Sequence, residues 1–414
     1  MKIVLLHYSV PPVVGGVESV VGHHARLMAE AGHEVCIVAG RGDQTEERVG
    51  FVEIPLADSR HSVVASIKEE LDQGKVPDEF AERVEELAEA LWEVVSDADC
   101  LVAHNVCSLN KNLILTAALK KISERSEHLQ LVLWHHDLAW TTPRYKDELH
   151  DGYPWDLLKT AWPGVEQVTI SEFRRREVAD LMNIPEEDIW VIPNGVDVTR
   201  FLKLEDLTSS LVHQLDLLNA YPLLLLPVRI TPRKNIELAL QVLAVLRETY
   251  PRAMLIVTGP LGPHNPANVD YFRNLQSLRD ELSLNGSVSF LAELTPNFLA
   301  DEVVSDFYNL ADALILPSRE EGFGIPVLEA GLAGIPAFCA DIPPLRDLGS
   351  PYVKLFSLDD SPAAIASMIL EELPSNPVFE FRVQVRSQYA WHEIYRKKID
   401  VLLQKIERDS ALIQ

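Results

Sequence analysis

The sequence predicts an α/β protein built from two Rossmann-like, doubly wound parallel-sheet domains. Two observations predict it. Short apolar runs alternate with helical patterns, as strand–helix–strand units require. The alternation begins at Ile3–Leu6 and restarts at Leu223, after a segment, Asp197–Leu218, that carries no strand signal. That segment marks the expected boundary, giving domains over residues 1–197 and 198–388.

In the first series, Ile3–Leu6 reads as a buried strand and Pro11–Gly16 as a loop. Val17, Val20, Val21, His24, Leu27 and Met28 then recur at helical spacing up to Gly32, a residue suited to a C-cap. His33–Ala39 is the next strand. Phe80, Val84, Leu87, Leu91 and Val95 form the apolar stripe of an acidic, solvated helix. Asp99–Ala103, a helix over Lys111–Ser123 and the strand Leu129–Trp134 repeat the pattern. Gln167–Ile170 and Ile189–Ile192 close it.

The second series has strands at Leu223–Val228, Met254–Thr258, Val288–Leu291, Ala313–Leu316 and Ala337–Ala340. A helix covers Asn235–Glu248, and the chain ends in a helical pattern from Tyr389 onward. In such folds ligands bind outside the carboxyl ends of the strands. The loops that follow strands, lining a cleft between the two domains, are therefore where chemistry is expected. The dinucleotide fingerprint GxGxxG does not follow the first strand, which argues against a dehydrogenase.

The chain has 414 residues and a net charge of −25. An acidic surface repels phosphate backbones and anionic lipid headgroups, so nucleic acid is not an expected partner, and no stretch of about 18 apolar residues occurs, so no stable membrane insertion is expected. The four cysteines form no CxxC pair, so reduced buried thiols in a cytoplasmic protein are expected. The run Ile3–Leu6 is too short for a signal-peptide core.

Three loops carry candidate chemistry. Ser318–Pro336 reads SREEGFGIPVLEAGLAGIP and follows the strand Ala313–Leu316. Gly322 and Gly324 flank Phe323 and let the backbone approach a ligand, and Ile325–Ala333 continues as a helix with Pro326 in its first turn. Glu321 and Glu329 are two carboxylates able to grip vicinal hydroxyls on separate rings; an ordinary acidic helix start is the plainer alternative. Val228–Asn235 places Arg229 and Lys234 beside a helix start, an arrangement suited to a diphosphate, although two basic surface residues would look the same. Gly15 and Gly16 precede the first long helix, whose N-terminal dipole favours phosphate. His135, His136 and Asp137 end a strand, and His104 follows another. His24 falls on the apolar stripe and reads as a packed core histidine, and no histidine spacing matches a metal motif.

Together these motifs resemble the retaining glycosyltransferases of family 4, with the glycosyltransferase B fold. The E-x7-E element is Glu321–Glu329, the R-x4-K element Arg229–Lys234 and the GGVE loop Gly15–Glu18. Ser171–Glu177, Ile192–Phe201 and Asp341–Gly349 match the family's hinge approach and closing loop, and Trp391 with the following helix matches its crossover onto the first domain. The resemblance implies that Glu329 holds the donor ribose, while Glu321 and the backbone of Gly322, Phe323, Gly324 and Ile325 hold the donor sugar. It gives the diphosphate to Arg229, Lys234 and the Gly15–Gly16 loop, and sets Asn194 and Gly259 near the donor. His136 matches the histidine that meets the sugar, with His135 leaving the alignment open by one position.

The implied activity is retaining transfer of a hexose from a UDP- or GDP-linked donor to a small soluble or saccharide acceptor. No metal and no cofactor are expected, and a homo-oligomer is left open. A nucleotide-sugar 2-epimerase on the same frame and a non-catalytic nucleotide-sugar sensor are the alternatives. The loop Thr258–Asn268 departs from the family's short glycine loop and reads either as a shaper of the cleft rim or as a rigid connection.

Overall fold

The computed structural model describes residues 1–125, 128–261, 267–295 and 299–413. The chain divides into two compact units, Met1–Gly195 with Trp391–Gln414, and Val196–Ala390. Residues 262–266 of the loop singled out at Thr258–Asn268 lie outside the described residues.

The first unit runs β1 (Lys2–His7), α1 (Gly16–Glu30), β2 (Glu34–Ala39), β3 (Val49–Glu53), α2 (Ser62–Leu71), α3 (Phe80–Val95) and β4 (Cys100–His104). It continues with α4 (Leu113–Arg125), β5 (Gln130–His135), β6 (Glu166–Thr169), α5 (Glu172–Met182) and β7 (Ile189–Val191). Its seven strands are parallel in the order β3-β2-β1-β4-β5-β6-β7. Both faces are covered, which explains the unbroken apolar run of β1. Val4 and Leu6 pack on one face with α3 and α4 residues such as Leu87 and Leu119. Ile3 and Leu5 pack on the other with Val21 and Met28 of α1.

The second unit contains α6 (Val198–Leu202), α7 (Asp206–Gln214), β8 (Leu223–Leu226), α8 (Ile236–Thr249), β9 (Met254–Val257), α9 (Ala267–Glu281), β10 (Val288–Phe290) and α10 (Leu291–Leu294). It continues with α11 (Asp301–Leu310), β11 (Ala313–Leu316), α12 (Ile325–Ala333), β12 (Ala337–Ala340), α13 (Pro343–Gly349), β13 (Lys354–Phe356), α14 (Pro362–Glu372) and α15 (Pro377–Gln388). Its six strands are parallel in the order β10-β9-β8-β11-β12-β13. Strand order reverses between β1 and β4 in one sheet and between β8 and β11 in the other. These are the switch points at which doubly wound sheets bind ligands.

After Ala390 the chain returns to the first unit as α16 (Trp391–Ile394), a π turn over Tyr395–Ile399, and α17 (Asp400–Ile413). Trp391, Leu402, Leu403 and Ile406 complete the core on the α1 side of the sheet. His24 is fully buried there against Trp134 and edge-on to Trp391, with ring centroids 5.3 Å apart. It is the packed core histidine expected from its place on the stripe. The elements with no counterpart in the sequence reading include β3, α2 and β13. Both strands lie at sheet edges and keep partly exposed faces, so they lack the continuous apolar run of a central strand. Among the described residues no helix is long and apolar enough to cross a membrane.

Candidate functional site

The second unit's candidates gather at the carboxyl ends of β8 and β11, on either side of the switch point. Pro232 to Lys234 form a single 3-10 turn, and Asn235 then takes a left-handed conformation, φ 53°, before α8 begins. That turn buries the Lys234 side chain. Its Nζ donates to Glu321 Oε1 at 2.5 Å, and the two side chains are only 9% and 8% exposed. The same Oε1 accepts from Ser318 Oγ at 2.7 Å, and Arg233 Nη1 stands 3.8 Å from Oε2. Burial pushes the Lys234 ammonium below its usual range, and the Glu321 carboxylate opposes that shift. Asn235 locks the two loops together, donating from Nδ2 to the Pro317 carbonyl and accepting from Arg319 Nη2 at Oδ1.

Glycine matters at two places here. Gly324 caps α12 at φ 102°, and a β-carbon there would meet Leu345 Cδ2 at 2.6 Å. Gly259 lets the chain after β9 rest on the chain after β8, since a β-carbon would lie 1.9 Å from the Val228 carbonyl oxygen. The neighbouring Arg229 is exposed. Gly322, Phe323 and Ile325 are also exposed, so the turn into α12 presents its backbone outward. Glu329, in the middle of α12, accepts from the Tyr308 hydroxyl at 2.6 Å. Both residues line a cavity of about 390 Å³ between α11 and α12. The two glutamates thus have distinct partners, Lys234 and Ser318 for one, Tyr308 for the other.

In the first unit, His7, His104 and His136 end or follow the three adjacent strands β1, β4 and β5. His7 Nδ1 donates to the His104 carbonyl at 2.7 Å, and His104 Nδ1 lies 3.4 Å from His136 Nε2. Asn105 fixes the turn by accepting the His136 and Asp137 amides at 3.0 and 2.9 Å. His135 points elsewhere, donating from Nε2 to Gln167 Oε1 at 2.8 Å. Burial depresses His136 to about 3 and His7 to about 4. A neutral imidazole at that position acts through hydrogen bonds rather than as a cation.

Gly15 caps α1 in an extended conformation, and Glu18 folds back over it while accepting from Ser9 Oγ at 3.0 Å. The carboxylate of Glu18 therefore already sits at the helix N-terminus beside Gly15. Asn194 is exposed, one residue before the end of this stretch of the unit. Ser318, Tyr308, Asn105 and His7 were not singled out from sequence. Tyr308, Asn105 and His7 act through partners distant in the chain, whereas Ser318 bonds Glu321 only three residues on; His7 also carries a local signal, its place at a strand's carboxyl end.

Among the described residues no group of three or more His, Cys, Asp or Glu is arranged to hold a metal ion. Two doubly wound parallel sheets, each with polar side chains gathered at its switch point, are the architecture of the glycosyltransferase B fold. The family model for glycosyl transferases group 1 matches residues 213–387, and that for glycosyltransferase family 4 matches residues 14–200. The chain belongs to the group 1 glycosyltransferases. It is 27% identical over 394 residues to mannosylglucosylglycerate synthase of Thermotoga maritima, covering 86% of this chain and 85% of that protein. It is 24% identical over 296 residues to mannosylglucosylglycerate synthase of Petrotoga mobilis, covering 66% of each. Among solved structures it is similar to sucrose-phosphate synthase from Thermosynechococcus elongatus, at 17% identity and a TM-score of 0.39 over 98% of this chain and 99% of that one.

Proposed function

We propose that this glycosyltransferase moves a hexose, with retention at the anomeric carbon, from a UDP- or GDP-linked donor to a small soluble or saccharide acceptor. The observation that carries the reading is the buried Lys234–Glu321–Ser318 group at the switch point of the second unit. An ammonium held in so dry a place serves the charge of a departing diphosphate, because interactions strengthen where water is excluded. Lys234 and Arg229 are assigned to the diphosphate, a role that makes a divalent metal unnecessary. Arg229 is exposed and free to swing onto it. Glu321 and the outward backbone of Gly322–Ile325 are assigned to the donor sugar, and Glu329 to the ribose. His136, neutral through burial, is the proposed partner of a sugar hydroxyl.

In the mechanism we favour, the acceptor hydroxyl attacks from the face that the diphosphate leaves. The leaving oxygen takes the acceptor's proton, and the protein contributes positioning and charge. The two mannosylglucosylglycerate synthases, named for a small glycoside product, support a small acceptor. The four free thiols support a cytoplasmic setting.

The test is product analysis by NMR with UDP- and GDP-hexoses and a panel of small acceptors, with and without excess chelator. A product with the donor's anomeric configuration, formed equally with chelator, is expected. Inversion, or activity that chelator abolishes and magnesium restores, would refute the corresponding part of the proposal. A C2-epimerised hexose formed without acceptor would refute the transfer itself.

A further inference from the structure

The second unit holds a further cavity, of about 410 Å³, between α6 and the last turns of α15. Every residue that lines it falls within Val196–Ala390. Its volume lies in the ~300–1,000 Å³ range typical of small-molecule sites. Val196, Val198, Phe201, Leu202, Leu310 and Val385 make its walls apolar. Among the described residues the rest of the lining is Arg382 and Arg386, with no acidic side chain, in a chain that carries 62 acidic against 37 basic residues.

The two arginines differ in what they have left to give. Arg386 is 4% exposed and committed, gripping Asp312 with Nη1 and Nη2 at 3.1 and 2.9 Å and donating to the Leu310 and Ala220 carbonyls. Arg382 makes one hydrogen bond, from Nη2 to the Asn309 carbonyl. Its Nε and Nη1 have no partner among the described residues and, unlike the sealed Nε of Arg386, remain open. Burial, and then the neighbouring Arg386, hold the Arg382 guanidinium below its usual range, while Asp312 opposes them. Two cations thus share one carboxylate, and one positive charge is left over beside apolar walls.

That leftover charge selects the occupant. A neutral apolar molecule would fill the walls but leave the charge uncompensated. A small hydrophilic anion would meet the charge and leave the walls uncovered. An alkyl phosphate brings about −1.5 to −2, more than the single charge available. A carboxylate brings one charge, and its two oxygens match the planar guanidinium. The apolar surface also continues past the cavity. Phe201 is 77% exposed, and Val378 and Phe381, both largely exposed, share a face of α15 with Arg382 and Val385 through their spacing of three and four residues.

We propose that this cavity binds an anionic amphiphile, an alkyl chain ending in a carboxylate, with the carboxylate on Arg382 and the chain against Phe201, Leu202 and Val385. The site is independent of the function proposed above, because none of its residues belongs to that assignment.

The experiment is isothermal titration calorimetry of the full chain with octanoate, and with octanol, octylammonium and acetate as comparisons. Three variants accompany it. Arg382→Gln removes the charge, Arg382→Lys keeps it, and Phe201→Ser changes an exposed side chain and so tests the wall without disturbing the core. Octanoate is expected to bind at millimolar concentration or better, and each comparison at least about tenfold more weakly. Arg382→Gln and Phe201→Ser should each weaken octanoate on the order of tenfold, and Arg382→Lys less than Arg382→Gln. Absence of octanoate binding would overturn the proposal. So would octanol or octylammonium binding as tightly as octanoate, or octanoate binding indifferent to both Arg382→Gln and Phe201→Ser. Sedimentation as a dimer that Phe201→Ser disperses would also overturn it, by showing that a second copy covers this face.

Discussion

Replacing Lys234 by methionine separates the two jobs that the structure gives this residue. The side chain is nearly sealed, and its partner Glu321 is equally sealed. Removing the ammonium leaves a buried carboxylate with Ser318 and a more distant Arg233, 3.8 Å away and half-exposed. Breaking a buried ion pair from one side costs about 3–5 kcal/mol. Arg233 offsets part of this, so about 3 kcal/mol is expected. For a unit of this size, at about 2–4 °C per kcal/mol, that lowers its melting temperature by roughly 6–12 °C. Lys234→Met/Glu321→Gln removes both charges and should regain most of the loss, while transfer stays abolished in both variants. Every tryptophan lies in the first unit, so calorimetry or circular dichroism, rather than tryptophan fluorescence, must follow the second. A single variant within about 1 kcal/mol of the wild type, below what breaking such a pair costs, would refute the reasoning. So would a double variant no more stable than the single one.

Three further outcomes are expected. Glu321→Ala should lose transfer far more than nucleoside-diphosphate binding, since the residue is assigned to the sugar; equal losses by calorimetry would contradict that role. Tyr308→Phe removes the hydroxyl that orients Glu329 and should raise the donor KM roughly tenfold with kcat little changed, about 1.5 kcal/mol at the low end for one hydrogen bond to a charged group; an unchanged KM would count against Glu329 as a donor ligand. Acid should weaken the first unit. Burial holds His7 and His135 at about 4, and His24 and His136 at about 3, below the value of about 6.5 in the unfolded chain. Glu18 and Lys111 act on His7 in opposite senses. The stability tied to these groups is complete above about pH 6.5 and falls as the pH drops toward 4, by up to about 1.4 kcal/mol per pH unit for each histidine. Urea unfolding followed by tryptophan fluorescence at pH 7.5 and 5.5 measures it, and equal midpoints would refute it.

The central strands were legible because both faces of each sheet are covered, which turns strands such as Leu223–Leu226 into unbroken apolar runs. Edge strands such as Lys354–Phe356 gave no such run. The loops carrying Glu321 and Lys234 were legible as strand-end loops, but their ion pair was not, because 87 residues separate the partners. The sequence reading treated the two as grips on different parts of a donor. The structure pairs them directly, so each fixes the other's position before any ligand arrives. The divergence of His135 and His136 follows from strand alternation. Trp134 packs on the α1 side and Leu133 on the other, so successive histidines diverge, one toward Gln167 and one toward His104. Tyr308 had no local signal, since its role depends wholly on the packing of α11 against α12.

The return of the chain to the first unit after Ala390 has a consequence for biosynthesis. The second unit is an insertion between the two parts of the first, and its own core is complete without Trp391 and α17. At about 5–20 residues per second, its 195 residues take a ribosome roughly 10–40 seconds to make. Throughout that interval the nascent first unit exposes the apolar surface around His24 and Trp134 that Trp391 later covers. Chaperone capture during synthesis should therefore concentrate on that bare patch, and the half made second is the first to finish.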